Sequence, residues 1–376
     1  MNTSSRPTRT TRAGTSRHRF ARTRSAVAAL AVAPLLLLAA CSTGTSDAAD
    51  GPSASSGPAD ELRLGYFANV THAPALVGVA GGQFEEALGD TKLSTQVFNA
   101  GPAAIEALNA GAIDATFIGP NPAINNFVKS NGEAVRIIAG STSGGAQLVV
   151  RDGIDTAADL KGTKIASPQL GGTQDVALRA WLTENGLKND IQGGGDVAVT
   201  PTENAQTLTL FQNGELDGGW LPEPWASRLV LDAGAHVLVD EKDLWDDGQF
   251  LTTHLIVRTD FLEEHPETVE ALLRGEVAAI DWLDANPDGA KTLVNGEIEK
   301  IAGKPLSDAV LDRAFTNITF TTDPLAGTLD TLLEDGVTAG TTTEADLDGI
   351  YDLTLLNKVL KEAGQPTVSA AGLGKE

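Results

Sequence analysis

From Glu61 onward, short apolar runs rich in β-branched residues alternate with stretches whose apolar positions recur at helical spacing. Strands are predicted at Leu62–Phe67, Leu93–Phe98, Ala115–Ile118 and Val135–Ala139, then at Lys164–Ala166, Val197–Val199, Gly218–Trp220 and Thr252–Val257. Helices fill the intervals, and Gly, Pro, Asn or Thr stands at each joint, which is the signature of an α/β chain. Ile105 and Leu108 mark one helix. Asn121 as cap, with Pro122 behind it, predicts the start of another, because proline has no N–H to leave unpaired in a first turn. A third opens at Thr173, runs through Val176, Leu178 and Trp181, and stops at Asn185-Gly186. Beyond Val257 the pattern is mostly helical, with Pro266, Pro287, Pro305 and Pro324 marking starts or breaks.

The pattern echoes itself. Leu108, Gly111, Asp114 and Phe117 match Phe211, Gly214, Asp217 and Trp220 at a constant offset of 103 residues. Both stretches read as helix, glycine turn, aspartate, short strand and proline-bearing loop. Two facing lobes of similar build would produce this, and so would the turn chemistry common to any pair of βα units. Length favours two cores, since Glu61 to Glu376 exceeds the ~250–300 residues that one core usually serves.

The first 60 residues follow different rules. Seven arginines and no acidic residue precede an apolar run from Ala26 to Ala40, too short for the ~20 residues that span a bilayer but right for an export signal. Leu38-Ala39-Ala40-Cys41 closes the run and resembles a bacterial lipobox, so residues 1–40 are expected to be removed and Cys41, the one cysteine of the chain, to carry the lipid. No disulfide, Cys-held metal or thiol nucleophile is then available. Residues 41–60 lack large apolar side chains and are expected to form a flexible tether. Localisation on the extracytoplasmic face of the cell membrane, or in the periplasm, follows, with contact to the membrane through the lipid alone.

Charge narrows the partners. The formal net charge of −23 falls to −30 once the seven arginines leave, and no basic cluster remains to meet nucleic acid or anionic lipid. Enzyme signatures are also missing: the sequence has no G-x-S-x-G elbow, P-loop, G-x-G-x-x-G turn or H-x-x-x-H pair, and its five histidines lie far apart. Neither a metal nor a cofactor is expected.

Three strings carry a resemblance. Leu64-Gly65-Tyr66-Phe67-Ala68-Asn69-Val70-Thr71-His72-Ala73, Ala166-Ser167-Pro168-Gln169-Leu170-Gly171-Gly172-Thr173-Gln174-Asp175 and Trp220-Leu221-Pro222-Glu223-Pro224-Trp225, in this order and spacing, resemble the aliphatic sulfonate, taurine and nitrate family of importer binding proteins. The resemblance implies a two-lobed type II periplasmic-binding-protein fold, each lobe a mixed sheet flanked by helices, with residues 61–147 plus 253–376 in lobe 1 and 148–252 in lobe 2. It further implies a monomer that captures a small anion in the cleft and passes it to an ABC permease and ATPase. An aliphatic sulfonate is the first expectation; taurine, nitrate, bicarbonate and pyrimidine precursors are alternatives, as are a sensor module or an enzyme on the same fold.

Candidate contacts follow from where these loops lie. In open α/β sheets, ligands sit beyond the carboxyl ends of strands. Gly171 and Gly172 let a ligand approach the backbone, and Thr173 and Gln174 open a helix whose first-turn N–H groups face outward, an arrangement suited to an anion. Asn121 and the Ser141-Thr142-Ser143 loop are the expected polar partners from the first lobe. Trp220 is expected to wall the cleft, with Glu223 accepting from a ligand amine, while Asn69, Thr71 and His72 supply further polar contacts.

Overall fold

A computed structural model of the chain describes residues 57–376. The export signal, Cys41 and the tether through residue 56 lie outside the described residues.

The chain first lays down β1 (Glu61–Phe67), β2 (Lys92–Phe98), β3 (Ala115–Ile118) and β4 (Val135–Gly144). It then builds a separate sheet from β5 (Ala146–Val150), β6 (Lys164–Ser167), β7 (Ala198–Pro201), β8 (Gly218–Pro222) and β9 (His236–Asp240). Finally it returns to the first sheet with β10 (Leu251–Arg258), β11 (Ile318–Phe320), β12 (Tyr351–Asp352) and β13 (Gly374–Lys375). The first sheet has the order β13-β12-β4-β10-β3-β1-β2, with β11 also on β4, and the second has the order β7-β6-β8-β5-β9. Both are mixed, with helices packed on them, as the α/β pattern implied.

Each sheet is buried on two faces, so its central strands read as unbroken apolar runs instead of alternating ones. In the second sheet, Leu148, Val150 and Trp220 pack on one side with Leu178 and Leu182 of the Thr173–Glu184 helix. Their neighbours Val149 and Leu221 point the other way, onto Leu208, Phe211 and Leu229. The two-residue period of a strand thus serves two small cores.

The echo has a structural counterpart. The Gly101–Asn109 helix leads to β3 as the Asn204–Gln212 helix leads to β8, at the same offset of 103. In each sheet the strand so reached lies parallel to a neighbour, β3 to β1 and β8 to β6.

Two expectations need correction. Ser141, Thr142 and Ser143 do not form a loop, because β4 continues through them and pairs with both β10 and β11. The helix assigned to Asn121 begins earlier, at Pro120 with Gly119 as cap, so Asn121 sits inside the first turn.

Candidate ligand-binding cleft

The carboxyl ends of β1, β2 and β3 face those of β6, β7 and β8. Phe67, Asn99 and Gly119 stand just past or at the ends of the first three, and Pro168, Asn204 and Pro222 at or shortly after the ends of the others. Together with Asn69, Thr71, His72, Gly172, Thr173, Gln174 and Thr252, they line a cavity of about 30 Å³. His72 is the only titratable side chain of that lining, which includes no Lys, Arg, Asp or Glu among the described residues.

Local chemistry sets the glycine-rich loop in place. Asp175, fully buried in the first turn of the Thr173–Glu184 helix, accepts from Ser167 Oγ at 2.6 Å and from the Gly171 N–H at 3.0 Å. Arg179, one turn on and equally buried, donates from Nε to Asp175 at 2.9 Å and from Nη1 to the Asp190 carbonyl at 2.7 Å. The loop is thereby held at both ends, with Gly171 at φ +74°, a conformation that a side chain would strain. By helix geometry the N–H groups of Thr173 and Gln174 have no intrahelical acceptor. Pro120 and Pro122 remove two such donors from the opposing helix, so the second sheet's half offers more backbone N–H groups than the first.

Two polar atoms on the cavity are buried without a partner among the described residues: Thr173 Oγ1 and Asn204 Oδ1. Burying such atoms unpaired costs about 1–3 kcal/mol each, so a site that holds them is built to hydrogen-bond something. His72 lies against the Phe67 ring, and its Nδ1 accepts from the Phe67 N–H at 3.4 Å. Burial pushes its pKa down to about 3, so at neutral pH it is an uncharged imidazole with Nε2–H as its donor.

The two halves touch closely. A Cβ built on Gly119 would overlap Thr173 Oγ1 across the cleft, Asn99 Nδ2 donates to Glu203 Oε1 at 3.1 Å, and Trp225 Nε1 donates to Asn69 Oδ1 at 2.9 Å. The arrangement is a closed one.

Of the residues singled out in the sequence, Asn69, Thr71, His72, Gly172, Thr173 and Gln174 come together on this cavity. Gly171 lies on its outer side, lining a larger groove. Asn121 instead donates from Nδ2 to the Leu332 carbonyl at 2.9 Å, and Ser141, Thr142 and Ser143 are buried in β4 away from the cavity lining.

Trp220 is not a cleft wall. It is fully buried in the second half, its Nε1 donating to Glu241 Oε2 at 2.6 Å and its ring edge-on to Trp181. Glu223 is equally unavailable. Its Oε1 accepts from Arg313 Nη1 at 3.0 Å and Asn317 Nδ2 at 2.7 Å, and its Oε2 accepts from the Ser227 N–H at 3.1 Å. Burial raises its pKa against the pull of Asn317, Ser227 and Arg313. Fully buried, held by three donors and outside the cavity lining, this carboxylate does not meet a ligand amine there.

Asn99, Asn204 and Thr252 line the cavity without having been singled out as contacts. For Asn204 a signal existed: the offset of 103 maps it onto Gly101, and both lie on the lining.

Comparison with known proteins agrees with this architecture. A protein of Brucella abortus (strain 2308), described only provisionally as a binding protein, is 29% identical over 186 residues, 48% of this chain and 53% of its own length. A protein of Escherichia coli K12, provisionally described as binding aliphatic sulfonates, is 34% identical over 166 residues, 43% of this chain and 49% of its own. The chain thus spans about half the length of these curated relatives. The alkanesulfonate-binding protein of Xanthomonas axonopodis pv. citri, solved with MOPS bound, superposes with a TM-score of 0.63 at 21% identity, covering 77% of this chain and 96% of that one. That likeness shows a shared periplasmic-binding-protein fold. The NMT1-like family model matches residues 55–295, well over half of the chain and every cavity-lining residue, so this protein belongs to the NMT1-like family.

Proposed function

We propose that the protein captures a small anion between its two halves and delivers it to an ABC-type permease and ATPase, with an aliphatic sulfonate as the cargo. The observation that carries this reading is the buried, unpartnered hydroxyl of Thr173, which can donate, at the open N-terminus of the Thr173–Glu184 helix. Asn204 would meet an anion only through its amide NH₂, so a flip of that side chain is part of the proposal. Hydrogen bonds to a charged partner contribute ~1.5–3 kcal/mol each and the helix end up to ~2 kcal/mol, so three or four contacts meet the ~8 kcal/mol of micromolar binding after association costs only if both halves take part. The relatives' names support the class of cargo. The named relatives are binding proteins, which favours a binding role over an enzymatic one.

Lipid attachment through Cys41 would keep the protein on the outer face of the cell membrane as a monomer. Release requires the halves to part, and the chain crosses between the sheets at Gly144-Gly145, where both φ angles are positive, and near Phe250–Thr252. Titration calorimetry of the purified protein with ethanesulfonate, taurine, nitrate and bicarbonate tests the reading. A saturable exothermic response to a sulfonate is expected, weakened about tenfold or more in Thr173→Val. The proposal fails if none of the four binds, or if the variant binds as tightly as the native chain.

A further inference from the structure

The helices Gly101–Asn109, Pro120–Lys129, Thr173–Glu184 and Asn204–Gln212 all begin at or beside the cavity lining. Of these, only Thr173–Glu184 carries an acidic residue in its first turn, Asp175. That carboxylate accepts from Ser167 Oγ and the Gly171 N–H, and each of those residues adjoins one that lines the cavity, Pro168 and Gly172. A negative charge thus lies directly behind the wall against which an anion is to be held.

Such a charge works against capture. Dissolved ions screen exposed charges but reach a fully buried one far less, and a carboxylate here competes with a guest for the positive end of the same helix. A fixed countercharge is what cancels it. Arg179 supplies one: it stands one turn on, equally buried, with Nε 2.9 Å from Asp175 Oδ2. Mechanical support uses only part of this side chain. Nη1 donates to the Asp190 carbonyl at 2.7 Å, whereas Nη2 is buried with no partner among the described residues. The Asp190 carboxylate is turned instead to the N–H groups of Gln192 and Gly194, at 2.8 and 2.9 Å. A neutral amide could donate to Asp175 as well, but it would bring no charge.

Resting on the anion-capture reading above, we infer that Arg179 sets the charge preference of the site: by neutralising the buried Asp175 carboxylate, it leaves the first-turn N–H groups of the Thr173–Glu184 helix free to attract an anion. It acts through Asp175 as a positioning residue and is not itself part of the lining.

Calorimetry with ethanesulfonate on the intact protein and on Arg179→Gln, Asp175→Asn and the double variant tests this, with circular dichroism to report folding. Arg179→Gln, which exposes the guest to an uncancelled carboxylate, is expected to bind at least tenfold more weakly. Asp175→Asn retains an acceptor for the Gly171 N–H and leaves the guanidinium's charge unopposed, so it is expected to bind at least threefold more tightly than the native chain. The double variant leaves no buried charge unpaired and is expected to recover most of the affinity that Arg179→Gln loses. A pair that served only to brace the loop would weaken binding in all three. Should Arg179→Gln not fold, Asp175→Asn against the double variant isolates the arginine's charge, and equal affinities there overturn the inference. Native affinity in Arg179→Gln, weakened binding in Asp175→Asn, or a double variant as weak as Arg179→Gln overturns it too, while the capture reading stands. Failure of the native chain to bind ethanesulfonate overturns both.

Discussion

Arg313 Nη1 lies 3.0 Å from Glu223 Oε1, joining the Asp308–Thr316 helix of the first half to a carboxylate with no solvent exposure in the second. The same guanidinium reaches Ser227 Oγ at 2.8 Å and, through Nη2, Gln147 Oε1 at 2.7 Å. The arginine therefore serves three acceptors of one half from a helix of the other. Removing one partner of a buried pair costs far more than the pair itself contributes, because the survivor stays buried and uncompensated. Arg313→Met is expected to destabilise the protein by about 3–5 kcal/mol in urea unfolding, and Glu223→Gln in that background to restore part of the loss. Glu223→Gln alone is expected to leave the ratio of taurine to ethanesulfonate affinity unchanged, since this carboxylate does not face the cavity.

Gly119 has an ordinary extended backbone, φ −72° and ψ 159°, so any side chain could adopt it. Space is what forbids one, because Thr173 stands directly opposite. Gly119→Val is therefore expected to prop the halves apart without unfolding either. Small-angle scattering in saturating ligand should show a larger radius of gyration than for the native protein, and affinity should fall by tenfold or more. An unchanged radius and affinity would mean that the two helix ends do not meet when ligand is bound.

Asp335, on the Leu329–Thr338 helix packed against the Thr173–Glu184 helix, has its pKa pushed up to about 6 by burial and by the nearby carboxylates Glu184 and Glu334. It lines a small pocket with Glu184, Glu241, Trp181 and Trp245. A carboxyl whose pKa is higher folded than unfolded binds its proton more tightly in the native state. Its contribution is fully present below about pH 4 and is lost as pH rises through 6. The difference in melting temperature between Asp335→Asn and the native protein should therefore grow in the variant's favour from pH 4.5 to 7.5. A difference that stays flat across that range would show that the native carboxyl titrates normally.

Much of this architecture could be read from the chain because it is local. Ala115–Ile118 and the stop at Asn185 depend on a few adjacent residues, and the 103-residue echo anticipated the paired helix and strand in each half. The misreadings share a cause. Ser141-Thr142-Ser143 has the composition of a turn, and what makes it a strand is pairing with β10 and β11, more than a hundred residues away. Glu223 looked like a ligand acceptor because its true partners, Arg313 and Asn317, lie 90 and 94 residues further on. Trp220 is decided by Glu241, whose carboxyl gives the indole N–H an acceptor inside the core.

A cavity whose lining holds no ionised side chain, inside a molecule of formal charge −23, sets two forces against each other. The grip on a bound guest is short-ranged and indifferent to dissolved salt, whereas the field met by an approaching anion is repulsive and shrinks with the Debye length, from ~30 Å at 0.01 M to ~8 Å at 0.15 M. Brackish surroundings should thus quicken arrival while leaving departure untouched, the reverse of what a lysine- or arginine-lined receptor would do.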